Sequence, residues 1–304
     1  MNIAFLIVAH RQFAHVDRLL GALSQSNTTC YLHVDAKVTP LPQLRNKAVL
    51  TAGRLNVQWA GFSQVEATLE LMRTAVKNSA HDYFILLSGA DYPIRPISEL
   101  TAYLSLNQRD CINLTEFGRL GKSIDRVRVR YLEGGGGRNR GGRAAMSRCA
   151  NRFFSLAYRL VGARRKLPPG FSESDFRAGS SWFGLKKDTI EAILEFVDRR
   201  PDFVRYCAST SFSDEFFFQT IMHKCGLDNN LRPNLHYADW EKGAPPYPSE
   251  LTGIHLEDLV RASVLPDGYG PERPVFFARK FGTQSSALLE QLDEKLALLN
   301  PFLN

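Results

Sequence analysis

The chain opens on Asn2-Ile3-Ala4-Phe5-Leu6-Ile7-Val8, a continuous apolar run of strand length after its first residue. Successive side chains of a strand point to opposite faces, so a run without alternation needs apolar cover on both. A sheet lined by helices on each face meets that need, and the following residues repeat the theme. An amphipathic helical pattern runs from Ala14 through Leu23, and Cys30-Tyr31-Leu32-His33-Val34 reads as a second strand ending at Asp35. Gln64 to Val76 reads as a helix, and Tyr83 to Leu87 as a third strand closed by Ser88-Gly89-Ala90-Asp91-Tyr92-Pro93. This alternation predicts an α/β fold with a mostly parallel central sheet flanked by helices. Ligands of such sheets bind beyond the carboxyl ends of the strands, where Asp35 and Asp91 both fall.

At 304 residues, 44% hydrophobic and 23% charged, the chain has a globular composition, which excludes disordered and fibrous classes. Its N-terminal apolar run is too short to span a bilayer and lacks a signal peptide's basic flank and cleavage site, so the expected location is cytoplasmic. The five cysteines are odd in number and contain no Cys-x-x-Cys pair, against a disulfide framework or zinc site. They read mostly as buried small apolar residues.

Charge is unevenly placed. Between Arg119 and Lys166, 14 lysines and arginines face two acids, Asp125 and Glu133, for a local balance of +12. The net charge is +7, so the remainder carries −5. A basic region on an acidic body implies an anionic partner: phosphate, acidic glycan, nucleic acid or a membrane surface. Within it, Glu133 to Arg143 reads as a Gly/Arg loop that slightly resembles RNA-binding segments but lacks repeated aromatics. It is no P-loop, because no Gly-Lys-Ser/Thr follows. From Ala144 to Leu167 a basic helix is expected, with Met146, Cys149, Phe153, Ala157, Leu160 and Val161 on one side. That side faces either the core or a membrane surface.

After Pro168-Pro169-Gly170, Ser181 to Leu185 reads as a buried strand and Asp188 to Asp198 as a helix. Ser213-Asp214-Glu215 then runs into an apolar segment, a pattern for a capped helix with Glu215 in its first turn. A helix N-terminus favours the ionised carboxylate. Glu215 is therefore either a surface residue complementing the dipole or, in a cleft, a general base. Late in the chain, Pro274 to Phe281 places Arg279 and Lys280 in an apolar strand-like run. The two cations mark a strand end emerging into solvent or a site that receives an anion.

Eight ordered segments carry a resemblance: Ile7-Val8-Ala9-His10, His33-Val34-Asp35, Trp59-Ala60-Gly61-Phe62-Ser63, Leu87 to Arg95, Gly179 to Phe183, Ser213 to Phe217, Ala238-Asp239-Trp240 and Phe276 to Phe281. Together they are similar to the core-2/I-branching N-acetylglucosaminyltransferase and peptide O-xylosyltransferase family, with the Ala-Asp-Tyr-Pro-Ile-Arg and Phe-Phe-Ala-Arg-Lys-Phe segments closer to the xylosyltransferase branch. The resemblance implies a GT-A-like fold and inverting, metal-independent transfer of a sugar, GlcNAc or xylose, from a UDP-sugar to a hydroxyl. By position it implies Glu215 as catalytic base, Val8 and Asp35 at the nucleoside, and Arg279 and Lys280 at the diphosphate. Asp91, Arg130, Trp182, Asp239 and Trp240 are weaker acceptor-side candidates, and the two tryptophans are equally readable as core. No Asp-x-Asp ends an expected strand, in keeping with no metal or other cofactor. Where the branching enzymes carry a further arginine this chain has Glu257; Arg261, Arg273 or Arg279 are the substitutes on offer.

These readings divide a single domain, 1–304, into a nucleotide-binding half at 1–110, a basic segment at 119–167 and a catalytic and acceptor half at 175–304. An unanchored, short member of the family looks bacterial, with a glycan, lipid-linked glycan or protein as acceptor. The basic segment would then make a peripheral contact with the inner face of an anionic membrane. A basic nucleic-acid-binding protein and a catalytically inactive carbohydrate-binding relative are the alternatives. The first leaves Glu215, the strand-end carboxylates and Arg279-Lys280 unexplained, so no nucleic acid is expected.

Overall fold

A computed structural model describes residues 1–119, 121–134, 142–162, 164–241, 243, 247–261 and 274–299. Strand β1 (Ile3–Ala9) leads into α1 (Phe13–Leu23), β2 (Thr28–Val34), β3 (Val49–Leu50), α2 (Ser63–Ala75), β4 (Tyr83–Ser88), β5 (Asp91–Pro93) and α3 (Ile97–Asn107). Short strands β6 (Cys111–Ile112) and β7 (Thr115–Glu116) precede α4 (Asp125–Arg128), α5 (Gly142–Val161), β8 (Arg177–Ala178), β9 (Phe183–Lys186), α6 (Lys187–Arg199) and α7 (Pro201–Cys207). A 3-10 turn at Ser213–Glu215 comes before α8 (Phe217–Lys224), and β10 (His236–Ala238), α9 (Leu256–Arg261), β11 (Phe277–Arg279) and α10 (Ser286–Leu299) follow.

The main sheet has the order β3-β2-β1-β4-β9-β6. Its first four strands are parallel, whereas β9 runs antiparallel to both β4 and β6. The expected parallel, helix-flanked sheet is therefore present, with a reversed edge that periodicity could not orient. Alternate residues of β1 enter two separate cores: Ile3, Phe5 and Ile7 pack with α1, α3 and α10, while Ala4 and Leu6 pack with α2, α6 and α8. Strand β4 divides the same way, with Ile85 and Leu87 on one side and Phe84 and Leu86 on the other. Two buried faces are the physical reason for the unbroken apolar runs.

A second sheet, β10-β11-β5, sits beyond the carboxyl end of β4 and pairs Arg279 of β11 with Asp91 of β5. The turn between β4 and β5 presses on α1. A Cβ at Gly89 would lie 2.9 Å from both Ala9 Cβ and Val16 Cγ2, so the close approach needs glycine. Strands from 1–110 and 175–304 thus share both sheets.

Helix α5 ends at Val161, earlier than expected, because Gly162 takes φ +62 as a left-handed stop. Its Met146, Cys149, Phe153, Leu160 and Val161 face outward, so the core-facing reading of this stripe is corrected. The Gly/Arg stretch at 135–141 lies outside the described residues. Cys30, Cys111 and Cys207 are buried, while Cys149 and Cys225 are exposed; all five are unpaired thiols. Among the described residues no helix is long and apolar enough to cross a membrane.

Candidate active site

Glu215 sits in a one-turn 3-10 helix ahead of the expected α-helix rather than in that α-helix's first turn. Phe212 adopts left-handed backbone angles, φ 52 and ψ 43, its N–H donates to the Ala60 carbonyl at 3.0 Å, and Ser213–Glu215 forms a 3-10 turn. Phe216, at φ −149, separates that turn from α8, which starts at Phe217 without a side-chain cap. The ionised state that the sequence attributed to a helix N-terminus therefore has a different cause. Burial opposes its ionisation, but Lys122 and Arg126 prevail and hold it below the usual glutamate range. Both cations donate to the same oxygen, Oε2. Among the described residues no hydrogen bond occupies Oε1. The Glu215 side chain keeps 25% of its surface exposed, so the residue is only partly covered.

Asp214 takes the opposite state. Burial, reinforced by the neighbouring Glu215 charge, pushes its carboxyl up to about 6. Ser181 Oγ donates to its Oδ2 at 2.6 Å, and Oδ1 is buried without a hydrogen-bond partner. Adjacent carboxyls are thus held apart in pKa, one favouring the acid and one the carboxylate. The backbone is fixed as well: Gly179 N–H donates to the Glu215 carbonyl at 2.8 Å. A Cβ at Gly179 would come within 1.8 Å of the Asn113 carbonyl oxygen, so only glycine permits this strap.

Asp35 lies just past β2 with 2% of its surface exposed. Its N–H donates to the Ala9 carbonyl at 2.9 Å, and its carboxylate accepts from Lys37 N and Nζ at 2.8 and 2.7 Å. Val8, half-buried near the end of β1, is in register with His33 and Ser88. The His10 imidazole is pushed down first by burial and then by Arg11, with Asp35, Lys280 and Lys37 also acting on it. Residues from β1, β2 and the end of β11 therefore converge. Lys280 is likewise lowered by burial, then by Arg11 and Arg279. Three crowded cations at a half-buried sheet edge form a place where an anion is favoured.

Asp91 is fully buried, which separates it from the acceptor-side role expected of it. It accepts from Ser88 N and Oγ, both at 2.7 Å, and from Arg279 Nε at 3.1 Å. Burial alone would raise its pKa; Arg279, His236 and Ser88 more than offset that and hold it below the usual aspartate range. Asp91 therefore acts behind Arg279, fixing the guanidinium that lies 4.3 Å over the Trp182 ring.

A closed circuit of contacts joins the two ends of the site. Arg126, bonded to Glu215, lies 4.7 Å over Phe212, which packs edge-on against Trp59 with centroids 5.1 Å apart. Trp59 meets Tyr247 at 5.7 Å, and Lys280 Nζ lies 5.7 Å over Tyr247. Arg279 then stacks on Trp182, and neighbouring Ser181 returns the circuit to Asp214 and Glu215. Trp59 and Tyr247 keep 37% and 41% of their surface exposed, as suits apolar sugar-ring faces.

Three weaker candidates lie off this circuit. Asp239 is buried and paired with His255 Nε2 at 3.0 Å, whereas Trp240 beside it is exposed. Arg130 is exposed on the segment after α4. Trp182, by contrast, is part of the circuit, half-buried between Arg279 and the His236 ring 5.4 Å away. Sequence reasoning missed Lys122, Arg126, Arg11 and Tyr247 and gave Trp59 no role. The first two were hidden in a segment read as a general basic patch. Glu257 and Arg261 fall on α9, and Arg273 lies outside the described residues. No three His, Cys, Asp or Glu side chains among the described residues are grouped to hold a metal ion.

The chain is similar to human xylosyltransferase 2, 29% identical over 322 residues, covering 96% of this chain and 33% of that protein. It is also similar to mouse xylosyltransferase 1, 27% identical over 323 residues, covering 98% of this chain and 31% of that protein. It thus spans about a third of the length of these curated relatives. Apo mouse xyloside xylosyltransferase 1 aligns over 93% of this chain and 98% of its own, at TM-score 0.35 and 10% identity, a likeness too distant to argue from. The family model for the Core-2/I-Branching enzyme matches residues 3–261. That match takes in β1, the Asp91 turn, Trp182 and Glu215, and the chain belongs to the Core-2/I-branching enzyme family.

Proposed function

We propose that this chain is an inverting glycosyltransferase that moves a sugar, GlcNAc or xylose, from a UDP-sugar to a hydroxyl of a glycan, lipid-linked glycan or protein. The observation that carries the reading is the circuit linking Glu215 to Arg279 and Lys280, within a family of branching enzymes. A carboxylate and a group of cations joined by one chain of contacts supports displacement of a diphosphate by a hydroxyl.

Val8 and Asp35 hold the nucleoside at the ends of β1 and β2. Arg279, Lys280 and Arg11 receive the diphosphate, and their fixed positive charge stabilises it as the bond to the sugar breaks. That role is the one a divalent ion fills elsewhere, so the reaction proceeds without metal. Glu215 accepts the acceptor's proton at Oε1 while Lys122 and Arg126 keep Oε2 in place. The acceptor oxygen attacks the anomeric carbon opposite UDP, so an α donor gives a β product. Trp59 and Tyr247 offer ring faces to the acceptor sugar.

The test is transfer from UDP-GlcNAc and UDP-xylose by purified protein in EDTA, alongside calorimetric UDP binding. Binding with transfer from either donor is expected. Absence of both UDP binding and transfer overturns the reading.

A further inference from the structure

We propose that helix α5 docks on an anionic lipid bilayer, lying in the plane of its surface. The helix is 20 residues long, about 30 Å at 1.5 Å per residue, and contains no acidic residue. Its polar side attaches it to the protein. Asn151 accepts from Leu132 N at 2.7 Å and donates to Leu132 O at 3.0 Å, Ser147 Oγ donates to Glu133 O at 3.1 Å, and Tyr158 OH donates to Asp125 at 2.8 Å.

This attachment turns the apolar side outward. Met146, Phe153, Leu156 and Leu160 recur at helical spacing along one stripe and are 73%, 66%, 54% and 73% exposed. Arg148, Arg152 and Arg159 follow one edge of the stripe, all exposed. A contiguous apolar surface edged with arginine is the face of a helix that lies in a membrane interface rather than crossing it.

Charge selects the bilayer over a second copy of this chain. A two-fold contact would bring the stripe against itself and crowd its arginines together, with no acid on either helix to relieve them. Anionic headgroups carry the charge opposite to this arginine edge, and their acyl region receives the stripe. Docking stands on this surface alone; the further step, that a bilayer-bound chain uses a lipid-linked acceptor, rests on the glycosyltransferase reading.

The experiment is sedimentation of the full chain with vesicles of phosphatidylcholine alone or mixed with phosphatidylglycerol. Binding is expected with phosphatidylglycerol and at least about tenfold less in the Phe153→Asp/Leu160→Asp variant, which loses two exposed apolar side chains that the bilayer would cover. Arg152→Ala and Arg159→Ala should each weaken it about fivefold. The milder Phe153→Ser/Leu160→Ser pair reads in the same direction should the aspartates disturb folding. Equal sedimentation with both vesicle types, binding indifferent to the stripe, or a dimer abolished by the stripe variants would each overturn the proposal. Vesicle binding without sugar transfer would leave docking intact and count against the enzymatic reading instead.

Discussion

Ser181 and Trp182, consecutive in the chain, serve opposite charges: Ser181 Oγ donates to Asp214 beside Glu215, and the Trp182 ring lies beneath the Arg279 guanidinium. One short segment thereby sets the spacing between the proposed base and the proposed diphosphate site. Gly179, two residues earlier, straps the Glu215 backbone to the same segment. The site is built as one connected unit, so its parts can be separated by substitution.

Glu215→Gln should lower transfer by about 10²- to 10⁴-fold, the range for removing a general base, with UDP affinity unchanged. Single-turnover kinetics and UDP calorimetry measure the two quantities separately. Transfer at the unsubstituted rate would remove Glu215 from the base role.

Arg279→Ala and Lys280→Ala should each weaken UDP binding about tenfold or more, the usual scale for a charge-assisted hydrogen bond, while uridine binding changes little. Arg11→Ala should act in the same sense with a smaller effect, because Arg11 is more exposed. Equal losses for UDP and uridine would contradict a diphosphate role.

Lys122→Ala and Arg126→Ala remove the charges that hold Glu215 below the usual glutamate range. The acid limb of the pH profile of kcat/KM should move to higher pH in both variants, since ionisation is then less favoured. A limb that stays in place would mean another group controls it.

Asp214 is raised by burial and by Glu215, from 3.8 to about 6. Between those values the folded chain keeps a proton that the unfolded chain has lost, so this carboxyl makes stability fall as pH rises. In Asp214→Asn that loss disappears, and the gain in Tm over the unsubstituted chain should widen from about pH 4 to about pH 6. A gap independent of pH would refute this.

Gly179→Ala should destabilise the fold by about 1–3 kcal/mol or more, because the new Cβ would meet the Asn113 carbonyl and backbone must shift. Thermal melts read this directly, and transfer should fall with it as the Glu215 strap moves. An unchanged melt would show that this segment tolerates the shift.

The alternation of apolar runs with helical patterns was enough to foresee β1, β2, β4, α1, α2 and α6, because burial on both faces is written locally in Ile3–Ala9 and Tyr83–Ser88. The ordered motifs were enough to foresee the family, since each is a short contiguous segment. Tertiary structure decided what depends on distant partners. Glu215 owes its lowered pKa to Lys122 and Arg126, 93 and 89 residues away, and Asp91 proved to stand behind Arg279, 188 residues away. No local pattern records such pairs. Helix α5 is the clearest division: its amphipathic period was legible, but periodicity is the same whichever face packs inward. Only the hydrogen bonds of Ser147, Asn151 and Tyr158 turned the apolar side toward solvent.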